Sequence, residues 1–367
     1  MKRYIFTIAA LAFLLAVFAP LASAQSTGAQ PAGAQPAAQD PAAEELAAYK
    51  AWYEANGKKD YPTAFTLAKA YLEKFPNGKY AKYLKETWIP PIRAKLLNEA
   101  VQAKNIPDVV RLGKEAVAAN PDNLDFPLFL ATQMRTLDTN LQYSADTVEF
   151  TQTSIRLIEA GKAPTPQPGV TFDKNKTLAY LRDTLGAIDE KKSPEKSLEQ
   201  YHQAATLDPT NARYFFNCGR LHQDRYGIAA QKYQAFSQED RTAAEPKPEV
   251  KAALDEVNKE ADGVINCWAR FLALKSDYSE DTKNKVMAAL TNLYKYRHND
   301  STDGLQKLID DNKTSPTPVS MTPPPAQPAT PPADQKAAEQ STMSAKPGPT
   351  PAKPAPAQAK PNGKRPR

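Results

Sequence analysis

Between residues 42 and 312 the apolar residues recur at steps of three and four, and no convincing run alternates with period two. That pattern predicts amphipathic helices. Asn-Pro, Asp-Pro and Pro-Asn steps fall where the pattern stops, as expected of residues that close a helix. The spacing predicts helix pairs at 43–56 with 60–75, 79–103 with 106–119, and 124–140 with 144–160. Further pairs follow at 173–189 with 194–207, 211–225 with 228–237, and 280–297 with 301–311. A long helix over 249–274 precedes the last pair, with Val257, Ala261, Val264, Ile265, Trp268 and Phe271 as its apolar stripe. Pro90-Pro91 predicts a break after Trp88, because each proline lacks an amide and clashes with the preceding turn. The expected fold class is all-α.

An internal echo runs through this region. Tyr61, Ala64, Ala68, Tyr71 and Pro76 lie at steps of three, four, three and five. Ile106, Val109, Gly113, Ala116 and Pro121 repeat those steps, as do Pro194, Ser197, Tyr201, Ala204 and Pro209. Small residues let a partner helix approach, a bulky one fills the gap, and the proline ends the helix. Ala212, Phe215, Cys218 and Gly219 then open another unit, an aromatic followed by an apolar residue next to glycine.

These positions resemble the tetratricopeptide repeat, whose first helix carries an aromatic and a Leu-Gly and whose second ends in a small residue and proline. The resemblance is strongest at 194–222 and extends to 50–76 and 97–131. It implies an α-solenoid of antiparallel helix pairs. The spacing departs from the family: the prolines are 45 residues apart (76 to 121) and then 88 (121 to 209), against a period of about 34. Tyr71 stands where a small residue is usual and Gly113 where a bulky one is. Degenerate tetratricopeptide-like pairs with long connections, or a HEAT-type solenoid of ~40–47 residues per repeat, both suit these numbers.

In the tetratricopeptide family the first helix of each pair lines a concave groove. Carried onto matching positions, the resemblance implies a partner-binding face of Tyr80 and Tyr83, then Leu128, Thr132 and Arg135, then Arg213, Phe216, Arg220 and Gln223. Arginine with aromatic residues is a composition suited to an extended peptide and its carboxylates. The expected partner is therefore a protein or peptide segment.

Composition changes the picture at the two ends. Lys2 and Arg3, the apolar run Tyr4 to Phe18 and Ala22-Ser23-Ala24 read as a bacterial-style secretory signal over residues 1–24, cleaved near Ala24. The alternative is an uncleaved inner-membrane anchor, since the apolar run approaches the ~18–20 residues that span a bilayer. Residues 25–41 form a Gln/Ala/Pro/Gly linker. Residues 313–367 hold 15 of the chain's 33 prolines, no aromatic residue, and eight basic residues against Asp334 and Glu339. Both segments are expected to be disordered, since neither has enough to bury. The chain's net charge of +6 is thus carried by the tail, and residues 42–312 sum to −1. This removes a basic globular face, so no nucleic-acid partner is expected. The tail itself suits an anionic partner, cell-wall or lipopolysaccharide phosphate.

Candidate chemistry is sparse. The chain has no Gly-rich phosphate loop, His-Glu-x-x-His, Gly-x-Ser-x-Gly or Cys-x-x-Cys, and neither an enzyme nor a cofactor is expected. Residues 299–310 echo a calcium loop, but Asn299 opens it and Asp310 replaces the bidentate Glu, so Asp300 or Ser301 reads as a helix cap. Cys218 and His222 lie four apart on one helix face, a spacing that presents two metal ligands; without a third nearby they read as core and surface. His202 and His298 have no companions in sequence, and no metal is expected. Cys218 and Cys267 are the only thiols and both lie in apolar stripes, so an oxidising compartment favours a disulfide between them. The alternative is two buried free thiols on opposite sides of the stack.

Overall fold

Helix starts follow the capping chemistry of the sequence. In the computed structural model, which describes residues 40–318, the Asp60 side chain accepts from the Thr63 amide at 3.3 Å and the Asn105 side chain from the Asp108 amide at 3.4 Å. Each has a proline in the first turn that follows, where a missing N–H costs nothing. Asp173, Asn211 and Ser279 cap three further helices in the same way. The expected signal (1–24), most of the expected linker and most of the Pro/Ala/Lys tail lie outside the described residues.

The resulting elements are α1 (Pro41–Gly57), α2 (Tyr61–Lys74), α3 (Ala81–Tyr83), a π-helical turn (Leu84–Trp88), α4 (Ile89–Gln102) and α5 (Ile106–Ala119). They continue as α6 (Asp125–Leu137), α7 (Ser144–Glu159), α8 (Lys174–Asp189), α9 (Pro194–Leu207) and α10 (Ala212–Gln234). The last are α11 (Gln238–Thr242), α12 (Pro248–Ala273), α13 (Glu280–Arg297) and α14 (Leu305–Thr314). No strand forms among the described residues. None of these helices is long and apolar enough to cross a membrane.

Sequential neighbours pack: α1 on α2, α4 on α5, α6 on α7, α8 on α9, and α10 on α12, with α5–α6, α7–α8 and α9–α10 joining one pair to the next. Two large apolar clusters result. One is centred on Trp52, Tyr71, Leu97, Leu130 and Phe150, the other on Phe216, Val257, Trp268, Phe271 and Leu290. Leu207 packs against both. The α1–α2 and α4–α5 connections are built alike: Lys59 and Lys104 take left-handed φ of 59° and 55°, and the Asp60 or Asn105 cap comes next.

Three expectations are corrected. The pair expected at 211–225 and 228–237 is one continuous helix, α10. Gly227 has open space around it, and Tyr226, Ala229, Ala230 and Tyr233 stay buried in the cluster that α12 shares, so apolar burial carries the helix past the glycine. Pro90-Pro91 does not interrupt the chain's helical course. The turn Leu84–Trp88 widens, the Ile89 amide bonds to the Leu84 carbonyl, and both prolines fall in the first turn of α4. The final helix starts at Leu305, not 301. Asn299 and Asp300 are left-handed, Gly304 (φ 89°) stands at the N-cap, and the Ser301 hydroxyl accepts from the Asp303 amide instead of capping.

That helix also runs past 312. Arg270 of α12, buried and with no carboxylate partner among the described residues, donates to the carbonyls of Pro209, Asn312 and Ser315. One guanidinium thus ties the α9–α10 turn to the end of α14.

Candidate functional site

Two constellations stand out, and α10 contributes to both. On one face, α6, α8 and α10 meet around acids of α8. Asp183, fully buried, accepts from Arg135 Nη2 at 2.8 Å and from Asn217 Nδ2 at 2.8 Å, and pairs with Arg213 Nη2 at 3.1 Å. Glu190, just beyond the α8 C-terminus, accepts from Arg220 and from the Tyr201 hydroxyl. Arg220 also faces Asp224 at 3.6 Å. Burial, and then the Glu190 carboxylate, push the Tyr201 hydroxyl well above the usual tyrosine range.

The structure therefore brings together Arg135, Arg213 and Arg220, with Gln223 half-buried on the same helix as the last two. Phe216 is corrected. It is 1% exposed, packed on Phe271 (5.3 Å between ring centres) and Tyr278 (4.8 Å), because α10 has neighbours on both sides and presents no free aromatic there. Tyr80 and Tyr83 belong elsewhere: Tyr80 stacks on Tyr49 of α1 at 3.5 Å, and Tyr83, 46% exposed, meets the edge of Trp52. With Tyr53, which is 61% exposed, they form a separate aromatic patch near α1.

The second constellation lies where α9, α10 and α12 converge. Cys218 of α10 and Cys267 of α12 are joined as a disulfide, their Cα atoms 6.0 Å apart, a separation that suits such a bond. His202 of α9 and His222 of α10 stand beside it, so that one ligand atom from each of the four residues lies within 4.8 Å of every other. The imidazole rings are 5.6 Å apart. Reading His202 as companionless fails because its three companions lie on two other helices, α10 and α12, and reach it through packing alone.

Glu260 of α12 supports this group from behind. Its Oε2 is 2.6 Å from His222 Nδ1, and its Oε1 accepts from Arg225 Nε at 2.8 Å. A carboxylate so paired is an acceptor, so Nδ1 donates and Nε2 is left available. Burial alone would lift the Glu260 carboxyl, but the bonds from His222 and Arg225 hold it below the usual range. Burial, followed by the neighbouring His222, lowers the pKa of His202.

Two glycines let the helices close on these groups. A side chain at Gly219 of α10 would meet the Trp268 indole at 2.2 Å, and one at Gly263 of α12 would meet the His222 ring at 2.4 Å. His202 is exposed on the other side and lines a cleft of ≈ 580 Å³ whose walls carry Glu159, Glu195 and Glu199. Glu260 carries no spacing signal in the sequence, and His202, visible there, gains its companions only through packing. No family model matches the chain, and no curated protein matches it.

Proposed function

We propose that residues 42–312 form an α-solenoid that acts as a non-catalytic scaffold, exported from the cytoplasm and binding an extended segment of a partner protein. The observation that carries this reading is the group of Arg135 on α6 and Arg213 and Arg220 on α10, with side chains 13%, 22% and 25% exposed, paired with Asp183 and Glu190. Each guanidinium has five N–H donors, and the contacts to Asp183 and Glu190 use only some of them. The remainder suit the carbonyls and carboxylates of an extended chain. The matching α1–α2 and α4–α5 turns support a repeated unit, and the signal-like residues 1–24 support export.

Site-specific photocrosslinking tests it. A crosslinker at Gln223 should capture one partner segment in the native host, and the same probe at Lys196, exposed on α9, should not. Equal capture from both positions would count against a groove.

The basic residues of 313–367 favour a second reading, binding of an anionic envelope polymer by the tail. Retention on phosphate-rich polymer that is lost on deleting 319–367 and fades with salt supports it; salt-insensitive retention opposes it.

A further inference from the structure

From the convergence of α9, α10 and α12 we infer that the reduced chain holds one zinc ion between Cys218, Cys267, His202 and His222, and that this site and the Cys218–Cys267 disulfide are alternative states of the same residues. The donor set is two thiolates and two imidazoles, the composition of closed tetrahedral zinc sites. Metal–sulfur bonds of ~2.3 Å and metal–nitrogen bonds of ~2.0–2.1 Å place the ligands of such a site ~3.3–3.8 Å apart. The four ligand atoms already lie within 4.8 Å of one another. To reach that geometry the two bonded sulfurs must part on reduction and the imidazoles draw in, a change on the scale of side-chain rotation.

Charge and support agree with the metal. Zinc with two thiolates is neutral, which suits a position where three of the four ligands are buried. The Glu260 carboxylate on His222 Nδ1 orients that ring and raises the basicity of Nε2, the usual arrangement behind a metal-bound histidine. A disulfide by itself needs neither imidazole. His202, at the exposed edge beside the acidic cleft, supplies an entry route for a cation.

Both steps balance. The dithiol takes up Zn²⁺ and releases two protons as the two sulfur–metal bonds form. An external disulfide reverses this by thiol–disulfide exchange: the two thiolates give up two electrons and form the Cys218–Cys267 bond. The external disulfide gains those electrons and, with two protons, leaves as two thiols, and Zn²⁺ departs.

The test is made on the full-length chain, reduced anaerobically with a phosphine and freed of reductant, beside the untreated oxidised chain. Cobalt(II) is the optical probe and zinc the competitor. Reduced protein should bind one cobalt with thiolate charge-transfer absorption, lose it to one equivalent of zinc, and release zinc on adding oxidised glutathione. The oxidised chain should bind neither. His202→Ala, at the exposed edge, and Glu260→Gln should keep the fold by circular dichroism and weaken zinc binding by about 10- to 100-fold. Reduced protein that binds no zinc, oxidised protein that binds it equally, or His202→Ala with unchanged affinity would each overturn the four-ligand site.

Discussion

Arg135 of α6 holds Asp183 of α8 at two points, Nη2 donating to the side-chain Oδ2 at 2.8 Å and Nη1 to the backbone carbonyl at 3.1 Å. Arg213 reaches the same carboxylate from α10. A fully buried acid thus sits between two cations from neighbouring helices. Removing its charge leaves two poorly solvated guanidinium groups facing each other, whereas the intact triad need not be worth much in itself. Asp183→Asn should therefore lower stability by about 3–5 kcal/mol in a denaturant titration, with an unchanged slope. A shift below about 1 kcal/mol would mean that water reaches the arginines.

Reducing the Cys218–Cys267 bond opens a loop of 49 residues. Chain entropy assigns such a loop roughly 4 kcal/mol, so reduction in the presence of a chelator should lower the thermal midpoint. Denatured without reductant, the chain should react with almost no thiol reagent. Two equivalents consumed would show free cysteines.

Alkaline pH should unfold the C-terminal cluster. Burial pushes the hydroxyls of Tyr226 and Tyr278 up from 10.0 to about 12. Unfolded, both ionise near their ordinary value, so above it the native state keeps protons that the unfolded state has released, and stability falls as pH rises through that interval. Tyrosinate absorbance should show a late phase that coincides with loss of helical circular dichroism. A single early phase with ellipticity intact would contradict the burial of these rings.

Close packing at Gly219 makes a sharper contrast between two glycines. Gly219→Ala puts a methyl group into the Trp268 indole and should cost about 1–3 kcal/mol. Gly57→Ala, where nothing lies within 4 Å, should be neutral or slightly stabilising. Equal effects by chemical denaturation would mean that α10 and α12 do not meet as closely as described.

Sequence made the helices legible wherever local chemistry decided them. The range 106–119 coincides with α5 because Asn105, Pro107 and the final Asn-Pro act within a turn of the ends. It misled where distant packing outweighed a local signal, as at Gly227, and where a π turn absorbed two prolines. Register was the weak point of the candidate face. Tyr214, Phe215 and Phe216 are all buried, so an aromatic at a first-helix position says little about which side of a doubly covered helix it faces. The Cys/His group was half legible. The four-residue step from Cys218 to His222 and the pairing of Cys218 with Cys267 are legible in the chain, but His202 and Glu260 join them only once α9 and α12 are laid against α10.

The glycines of α10 and α12 work as a reciprocal dovetail. α10 offers Gly219 to Trp268 and pushes His222 into Gly263, while α12 does the converse. Sliding either helix along the other by one turn, about 5.4 Å, would drive a ring into a backbone that has no recess for it. Shear is blocked in both directions without any covalent bond. Once their bond is cut, Cys218 and Cys267 are therefore held at the same station on the two helices, close enough to rejoin or to share a third partner. The thiols do not search for each other; the interlock keeps the appointment.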